Sequence, residues 1–167
     1  IGNGSTDDQH RPVRLAGEDW IQVAAGAGHV VAVKADGTLW SWGDNAFGQL
    51  GHGDVGTSVT QPKQVDATGR WLLVAAGLGG SATLAIKDDG TLWAWGRNLD
   101  GELGLGEDVE AAKPQKVGEA MDWVGIATGA GFSFALDADG DLWATGTNAL
   151  GRLGIGEPGE HNRYEFV

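Results

Sequence analysis

The chain repeats itself three times, at a period of about fifty residues. The first recurring landmark is Trp20-Ile21-Gln22-Val23-Ala24-Ala25-Gly26, then Trp71-Leu72-Leu73-Val74-Ala75-Ala76-Gly77, then Trp123-Val124-Gly125-Ile126-Ala127-Thr128-Gly129. The second is Asp36-Gly37-Thr38-Leu39-Trp40, Asp89-Gly90-Thr91-Leu92-Trp93 and Asp139-Gly140-Asp141-Leu142-Trp143. The third is Trp42-Gly43-Asp44-Asn45 leading to Gly48-Gln49-Leu50-Gly51-His52-Gly53, with copies from Trp95 to Gly106 and from Thr145 to Gly156. Trp20 and Trp71 are 51 residues apart, Trp71 and Trp123 52, Trp40 and Trp93 53, Trp93 and Trp143 50. In repeat proteins of this period each unit cannot bury its apolar face alone and stacks on its neighbours. The spacing predicts one repeat domain over 1–167, with repeats at about 16–66, 67–117 and 118–167. Residues 1–15 form the end of a preceding repeat.

Within a repeat the pattern is β. In the first, Gln22–Ala25, His29–Lys34 and Thr38–Trp42 are short runs rich in β-branched and aromatic residues, which suit a pleated surface. Asp36-Gly37, Asp89-Gly90 and Asp139-Gly140 mark hairpins, and a type I′ turn with positive φ at both central residues is predicted. Gln61-Pro62-Lys63-Gln64-Val65 is a fourth strand, its proline placing it at an edge. Lys113–Val117 and Arg11–Leu15 hold the same place in the flanking units. No segment sustains a 3.6-residue apolar period. In Leu39-Trp40-Ser41-Trp42 one face carries Leu39 and a small residue and the other carries two tryptophans. Ala94 and Ala144 repeat the small position, which lets neighbouring units interdigitate. The fold class is all-β: about three four-stranded propeller blades, a partial propeller or one completed by oligomerisation.

Thirty glycines in 167 residues is more than double the usual ~7%. With no Gly-X-Y period and four prolines, tight turns account for them, since glycine enters positive φ without steric cost. The net charge of −12, from 23 acidic and 11 basic residues, repels phosphate backbones and steers basic partners toward the surface. Nucleic acid is therefore not expected as a partner. No cysteine is present, which removes disulfides, thiolate nucleophiles and Cys-ligated zinc. No apolar run reaches the ~20 residues that span a bilayer, so membrane insertion is not expected. Sparse lysine with abundant Ala, Gly and Asp suits a GC-rich bacterial source, and the sequence leaves the compartment, cytoplasmic or secreted, open.

The pattern Trp/Thr-Gly-x-Asn-x-x-Gly-x-Leu-Gly-x-Gly, preceded by Asp-Gly-x-Leu-Trp, resembles the repeat of the RCC1 (regulator of chromosome condensation) family, and the resemblance runs through the whole chain. It implies a β-propeller, usually of seven blades, with about one blade per repeat. That family includes a nucleotide exchanger, a plant UV-B photoreceptor and parts of ubiquitin ligases, so the fold does not fix the function. His29 in Gly26-Ala27-Gly28-His29 matches the family's frequent histidine. Its counterparts are Gly80 or Ser81 and Phe132, and Thr145 stands where the other repeats carry Trp42 and Trp95.

Each chemical reading has a plainer rival. Exchange activity in the family uses a hairpin wedge, and repeats that differ by about three residues leave no room for one. The photoreceptor resemblance needs tryptophan after the Gly-x-Gly turns, where His29-Val30, Gly80-Ser81 and Phe132-Ser133 stand instead. Asp137-Ala138-Asp139-Gly140-Asp141 spaces three carboxylates like a calcium loop, but the loop's glycine and closing glutamate are missing, and a hairpin turn accounts for it better. His29 reads as a strand-start residue bonded within its blade. His52, His10 and His161 lie in loops, with no His-x-x-x-His pair and no nucleophile elbow. No catalytic residue, metal ligand or cofactor site is assigned, and an enzyme is not expected.

Three blades do not close a ring, since propellers use four to eight. Ile1-Gly2-Asn3 matches Ile155-Gly156-Glu157, so the chain starts and ends in one phase of the repeat, and its start at Ile1 rather than Met favours a longer parent. The outer faces would expose Trp and Leu, to be covered by further blades, by copies of the chain or by another protein. The sequence reading is a non-catalytic protein-protein interaction scaffold, with the variable loop residues Asp44, Phe47, Gln49, Arg97, Asp100, Glu102 and Arg152 as partner contacts. The alternative is a guanine-nucleotide exchange factor for a small GTPase within a longer propeller.

Overall fold

The computed structural model describes residues 1–167 except 78, 107–108, 120–121, 157–161 and 164. Blade 1 is β1 (Trp20–Ala25), β2 (His29–Lys34), β3 (Leu39–Gly43) and β4 (Val59–Gln64). Blade 2 is β5 (Trp71–Ala76), β6 (Ala82–Lys87), β7 (Leu92–Gly96) and β8 (Ala111–Lys116). Blade 3 is β9 (Trp123–Thr128), β10 (Phe132–Asp137) and β11 (Leu142–Gly146). Within each sheet consecutive strands are antiparallel neighbours. The outer edge of blade 3 is taken by the C-terminal segment, through paired backbone hydrogen bonds between Gly146 and Arg163 and between Ala144 and Val167. Among the described residues the helical content is one turn of 3-10 helix at Ala149–Gly151.

Strand register decides which side chains meet. Val31, Val33, Leu39 and Ser41 share the face of blade 1 that looks toward blade 2, while Ala32, Trp40 and Trp42 share the opposite face. We call these the trailing and leading faces. In blade 2 the same rule sends Trp93 and Trp95 toward blade 1 and Leu84, Ile86 and Leu92 toward blade 3. Leu39, Leu84, Ile86, Leu92 and Trp95 are fully buried between blades. Trp71 N–H donates to Gly37 O and Trp123 N–H to Gly90 O, repeating one inter-blade bond. Trp95 Nε1 and Thr83 Oγ1 both donate to Gln49 O at 2.9 Å. Ser133 Oγ donates to Glu102 O at 2.7 Å at the next interface.

The hairpins differ from the I′ expectation. Gly37 N–H donates to Lys34 O and Lys34 N–H to Thr38 O, and Gly37, not Asp36, has positive φ, at 82°. This is a three-residue loop, a type I turn closed by a glycine bulge. Asp36 Oδ1 instead accepts from Thr38 N–H and Oγ–H. Asp137 is spent in the same way, accepting from the backbone N–H groups of Asp139 and Asp141.

Two alignments also shift. His29, Ala82 and Phe132 hold one register position, opposite Gly43, Gly96 and Gly146, so the blade 2 counterpart of His29 is Ala82. Gly2 packs on Trp42 as Gly51 packs on Trp95, and Gly4 packs on Gln61 as Gly53 packs on Lys113. Ile1-Gly2-Asn3-Gly4 is thus equivalent to Leu50–Gly53 and Leu153–Gly156, two residues out of the phase expected. Arg11–Leu15 forms no strand, because an outer strand needs an inner one to pair with.

The outer faces are open. Leu142 is 65% exposed, whereas Leu39 and Leu92, its equivalents, are 1% and 0%. Val23 is 65% exposed and its equivalent Val74 7%. Gly151, Gly154 and Gly156 face empty space, while Gly48, Gly51 and Gly53 touch blade 2.

Candidate functional site

The loops after β3, β7 and β11 share one backbone and carry different side chains. Asn45, Asn98 and Asn148 are buried and pin them. Asn45 Oδ1 accepts from Leu50 N–H at 3.1 Å, Asn98 Oδ1 from Leu103 N–H at 2.9 Å and Asn148 Oδ1 from Leu153 N–H at 3.1 Å. On the far side Asn45 Nδ2 donates to Asp54 O and Asn98 Nδ2 to Val109 O. The asparagine therefore clamps both limbs of the loops in blades 1 and 2. Gly48, Gly101 and Gly151 turn it through positive φ, where a β-carbon is strained.

Three positions on this frame change chemistry. In blade 1, Gln49 Nε2 donates to Asp44 Oδ2 at 2.8 Å and Gln49 Oε1 accepts from Phe47 N–H at 2.8 Å. In blade 2 the same places hold an ion pair: Arg97 NH1 lies 2.6 Å from Glu102 Oε1 and 3.0 Å from Asp100 Oδ2, and Glu102 Oε2 accepts from Asp100 N–H. Burial pushes the Glu102 carboxyl up from its ordinary value, and the Asp100 N–H and the Arg97 charge oppose the shift. In blade 3, Arg152 turns back to donate from Nε to Ala149 O at 2.8 Å, with its guanidinium 5.3 Å from the Phe132 ring centre.

The structure brings Phe47, Arg97 and Asp100 to one groove of about 410 Å³, floored by the backbone of Gly79–Ser81 and Ala130–Gly131. Asp44 and Arg152 are half-buried beside their own loops. Gln49 and Glu102 are corrected by burial: each is 1% exposed, so their side chains brace the loop from beneath and do not reach its surface. The sequence reading missed Leu99 and Leu150. Leu150 is 99% exposed at φ 63°, a conformation that costs a leucine about 1 kcal/mol or more. Its only sequence signal is its place before the loop glycine, shared with Phe47 and Asp100.

His29 and His52 are held by hydroxyl partners in the blades. His29 Nε2 donates to Thr83 Oγ1 at 2.9 Å, across the blade interface rather than within a blade, and Nδ1 is buried with no donor. That burial lowers its pKa to about 4, against a small opposing pull from Asp44. His52 Nε2 lies 3.1 Å from Ser41 Oγ. His10 is exposed, and His161 lies outside the described residues.

Blades of four antiparallel strands, stacked face to face with their loops at one end, define a β-propeller module that presents loops on a rigid frame. Two family profiles, both described as regulator of chromosome condensation (RCC1) repeat, match residues 36–84 and 89–136, and residues 20–49, 73–102 and 123–152. The chain belongs to the RCC1-repeat family.

Among its relatives are the mouse E3 ubiquitin-protein ligase HERC2, 38% identical over 119 residues, covering 70% of this chain and 2% of that protein. Mouse protein RCC2 is 40% identical over 104 residues, 61% of this chain and 20% of that one. The Arabidopsis thaliana ultraviolet-B receptor UVR8 is 35% identical over 121 residues, 70% and 27%. The crystal structure of Saccharomyces cerevisiae Prp20p, whose binding to Gsp1p and histones was described with it, superposes with a TM-score of 0.80 at 27% identity, covering 89% of this chain and 38% of that one. The chain thus spans between a fiftieth and about a quarter of these curated relatives. They are eukaryotic, and none supports a bacterial source. No helix of the described residues is long and apolar enough to cross a membrane.

Proposed function

We propose that the chain is a non-catalytic protein-interaction scaffold whose loop end recognises a protein partner. One observation carries this: a backbone fixed by the same asparagine clamp in three blades displays Asp44, Arg97 or Thr147 at one position and Phe47, Asp100 or Leu150 at another. A frame held constant under side chains that differ is how rigid scaffolds carry recognition on loops. The exposed Leu99 and Leu150 supply apolar contacts and the Arg97–Asp100 pair a polar one, the usual make-up of such a surface. Further copies of the chain, or further blades, are the partners proposed for the open outer faces. The acidic balance argues against nucleic acid as a partner.

The exchange-factor alternative draws no support from the loops. Among the described residues the connections between β1 and β3 and between β5 and β7 hold tight turns and no inserted hairpin. The test is affinity capture with the immobilised protein, followed by Leu150→Asp and Leu99→Asp. A partner lost with both variants, and no acceleration of nucleotide release from a Ran-type GTPase, is the expected result. Accelerated release would replace this reading with the alternative.

A further inference from the structure

Each blade carries a pair of tryptophans at its outer end, from the first strand and the third. Trp20 and Trp40 meet edge to face at 6.0 Å, Trp71 and Trp93 at 6.0 Å, and Trp123 and Trp143 at 6.1 Å. In blade 1 the ammonium of Lys34 lies 4.8 and 4.4 Å from the centres of its two indoles. In blade 2 Lys87 lies 4.7 and 3.7 Å from its pair. A cation within ~6 Å of an indole face is drawn to the ring quadrupole. The chain thus builds the same cage twice and sets a lysine of its own second strand over it.

Blade 3 keeps the cage and changes the filling. Asp137 pairs with Trp123 in register as Lys34 pairs with Trp20 and Lys87 with Trp71. Trp40 and Trp93 give their indole N–H to Thr38 and Thr91, both at 2.8 Å. Blade 3 has Asp141 in the threonine's place, and Trp143 Nε1 donates to Asp137 Oδ2 at 2.9 Å. A carboxylate therefore sits at the edge of the ring. The cavity of about 280 Å³ at this place is lined by Trp123, Trp143, Phe166, Glu119, Glu165 and Leu105, together with Val117 and the backbone of Gly104 and Gly118. That is several times the ~30 Å³ of one water. Among the described residues no Lys, Arg or His lines it.

We propose that this cavity binds an alkylammonium group supplied from outside: a lysine side chain of a partner protein, entering where Lys34 and Lys87 enter from within in the other blades. Two indoles and Phe166 take the cation and its methylene stem. Glu119, Glu165 and Asp137 supply the opposite charge, and the net charge of −12 brings basic segments to the surface. A partner's lysine completes the third cage, and this gives the scaffold a preference for basic partners. The inference rests on the reading of the chain as a protein-binding module, but its test needs no partner protein.

The test is a titration of 15N-labelled protein with Nα-acetyl-lysine N-methylamide, read at the indole N–H resonances assigned by single Trp→Phe substitutions. Trp123 and Trp143 are expected to shift, and Trp20, Trp40, Trp71 and Trp93 to stay. The norleucine analogue, with a similar stem and no charge, is expected to leave all of them in place. Asp137→Lys puts the ammonium back in cis and is expected to abolish the response. Shifts that persist in that variant, that spread evenly over all six indoles, or that norleucine reproduces would overturn the proposal. Should Asp137→Lys fail to fold, the double variant Glu119→Gln, Glu165→Gln is expected to weaken the response at least threefold, and an undiminished response overturns it. A silent titration leaves the loop-end scaffold standing, and failure to capture a partner at the loops leaves the titration untouched.

Discussion

Phe166 lies 5.9 Å from Trp123, in the place that Trp42 takes 6.1 Å from Trp20 and Trp95 takes 6.1 Å from Trp71. The third repeat has Thr145 where the others have that tryptophan, and the outer strand supplies the missing ring from elsewhere. Gly104 faces both Phe166 and Thr145, as Gly51 faces Trp95. The aromatic cluster is therefore preserved in space though not in sequence. Phe166→Ala is expected to destabilise the protein by about 2 kcal/mol, less than a fully buried phenylalanine because it is half-exposed. Thr145→Trp alone is expected to destabilise by overpacking. Combined with Phe166→Ala it is expected to recover most of the loss. Denaturant unfolding of the four proteins measures this, and additive losses would contradict it.

His29 makes stability depend on pH. Its imidazole takes a proton near pH 6.5 in the unfolded chain but only near 4 in the fold, because burial disfavours the charged form. Between those values the unfolded chain binds more protons, so stability is complete above about pH 6.5 and falls as pH drops toward 4. The loss is roughly 3 kcal/mol. His29→Phe borrows the side chain that Phe132 uses at the same position, and it is expected to remove that part of the slope. A pH series of unfolding free energies for both proteins checks it.

Gly51 and Gly154 share a repeat position and a positive φ, at 76° and 70°. A β-carbon at Gly51 would lie 2.8 Å from Trp95 Nε1, whereas at Gly154 it would meet nothing. Backbone strain is common to both, so on the dissociated chain, or in the Leu142→Arg background, Gly51→Ala is expected to lose about 1 to 3 kcal/mol more than Gly154→Ala. Equal losses would mean that the trailing face of blade 3 is already covered.

The Asp44–Gln49 and Arg97–Glu102 pairs are two solutions to one loop geometry. Arg97→Asp would set three carboxylates together and is expected to be poorly tolerated, while Arg97→Asp with Glu102→Gln reproduces the blade 1 arrangement. A double-mutant cycle is expected to give a coupling of about 1 to 3 kcal/mol.

Much of this architecture follows from the residues alone. The four strands of blade 1 and β8 lie within about two residues of the runs read from the sequence, because repeat spacing, Asp-Gly turns and β-branched runs are local signals. What escaped was relational. Ala82 as the partner position of His29 is set by strand register. The role of Phe166 emerges only where the outer strand folds back on Trp123. Gln49 and Glu102 look like exposed polar residues, and only the close approach of the next blade buries them. Leu150 and the blade 3 cage were hidden for the same reason: a tryptophan pair reads as core until the lysine that fills it elsewhere is seen to be replaced.

The central claim is that the outer blade faces are contact surfaces, and molar mass in solution by light scattering tests it most directly. The chain is expected to associate through the open face around Leu142, giving a mass of at least two chains against 17.3 kDa for one. Leu142→Arg, at a position 65% exposed in the single chain, should return it to the mass of one chain. A well-folded wild-type protein at 17.3 kDa, unaffected by that substitution, would contradict it.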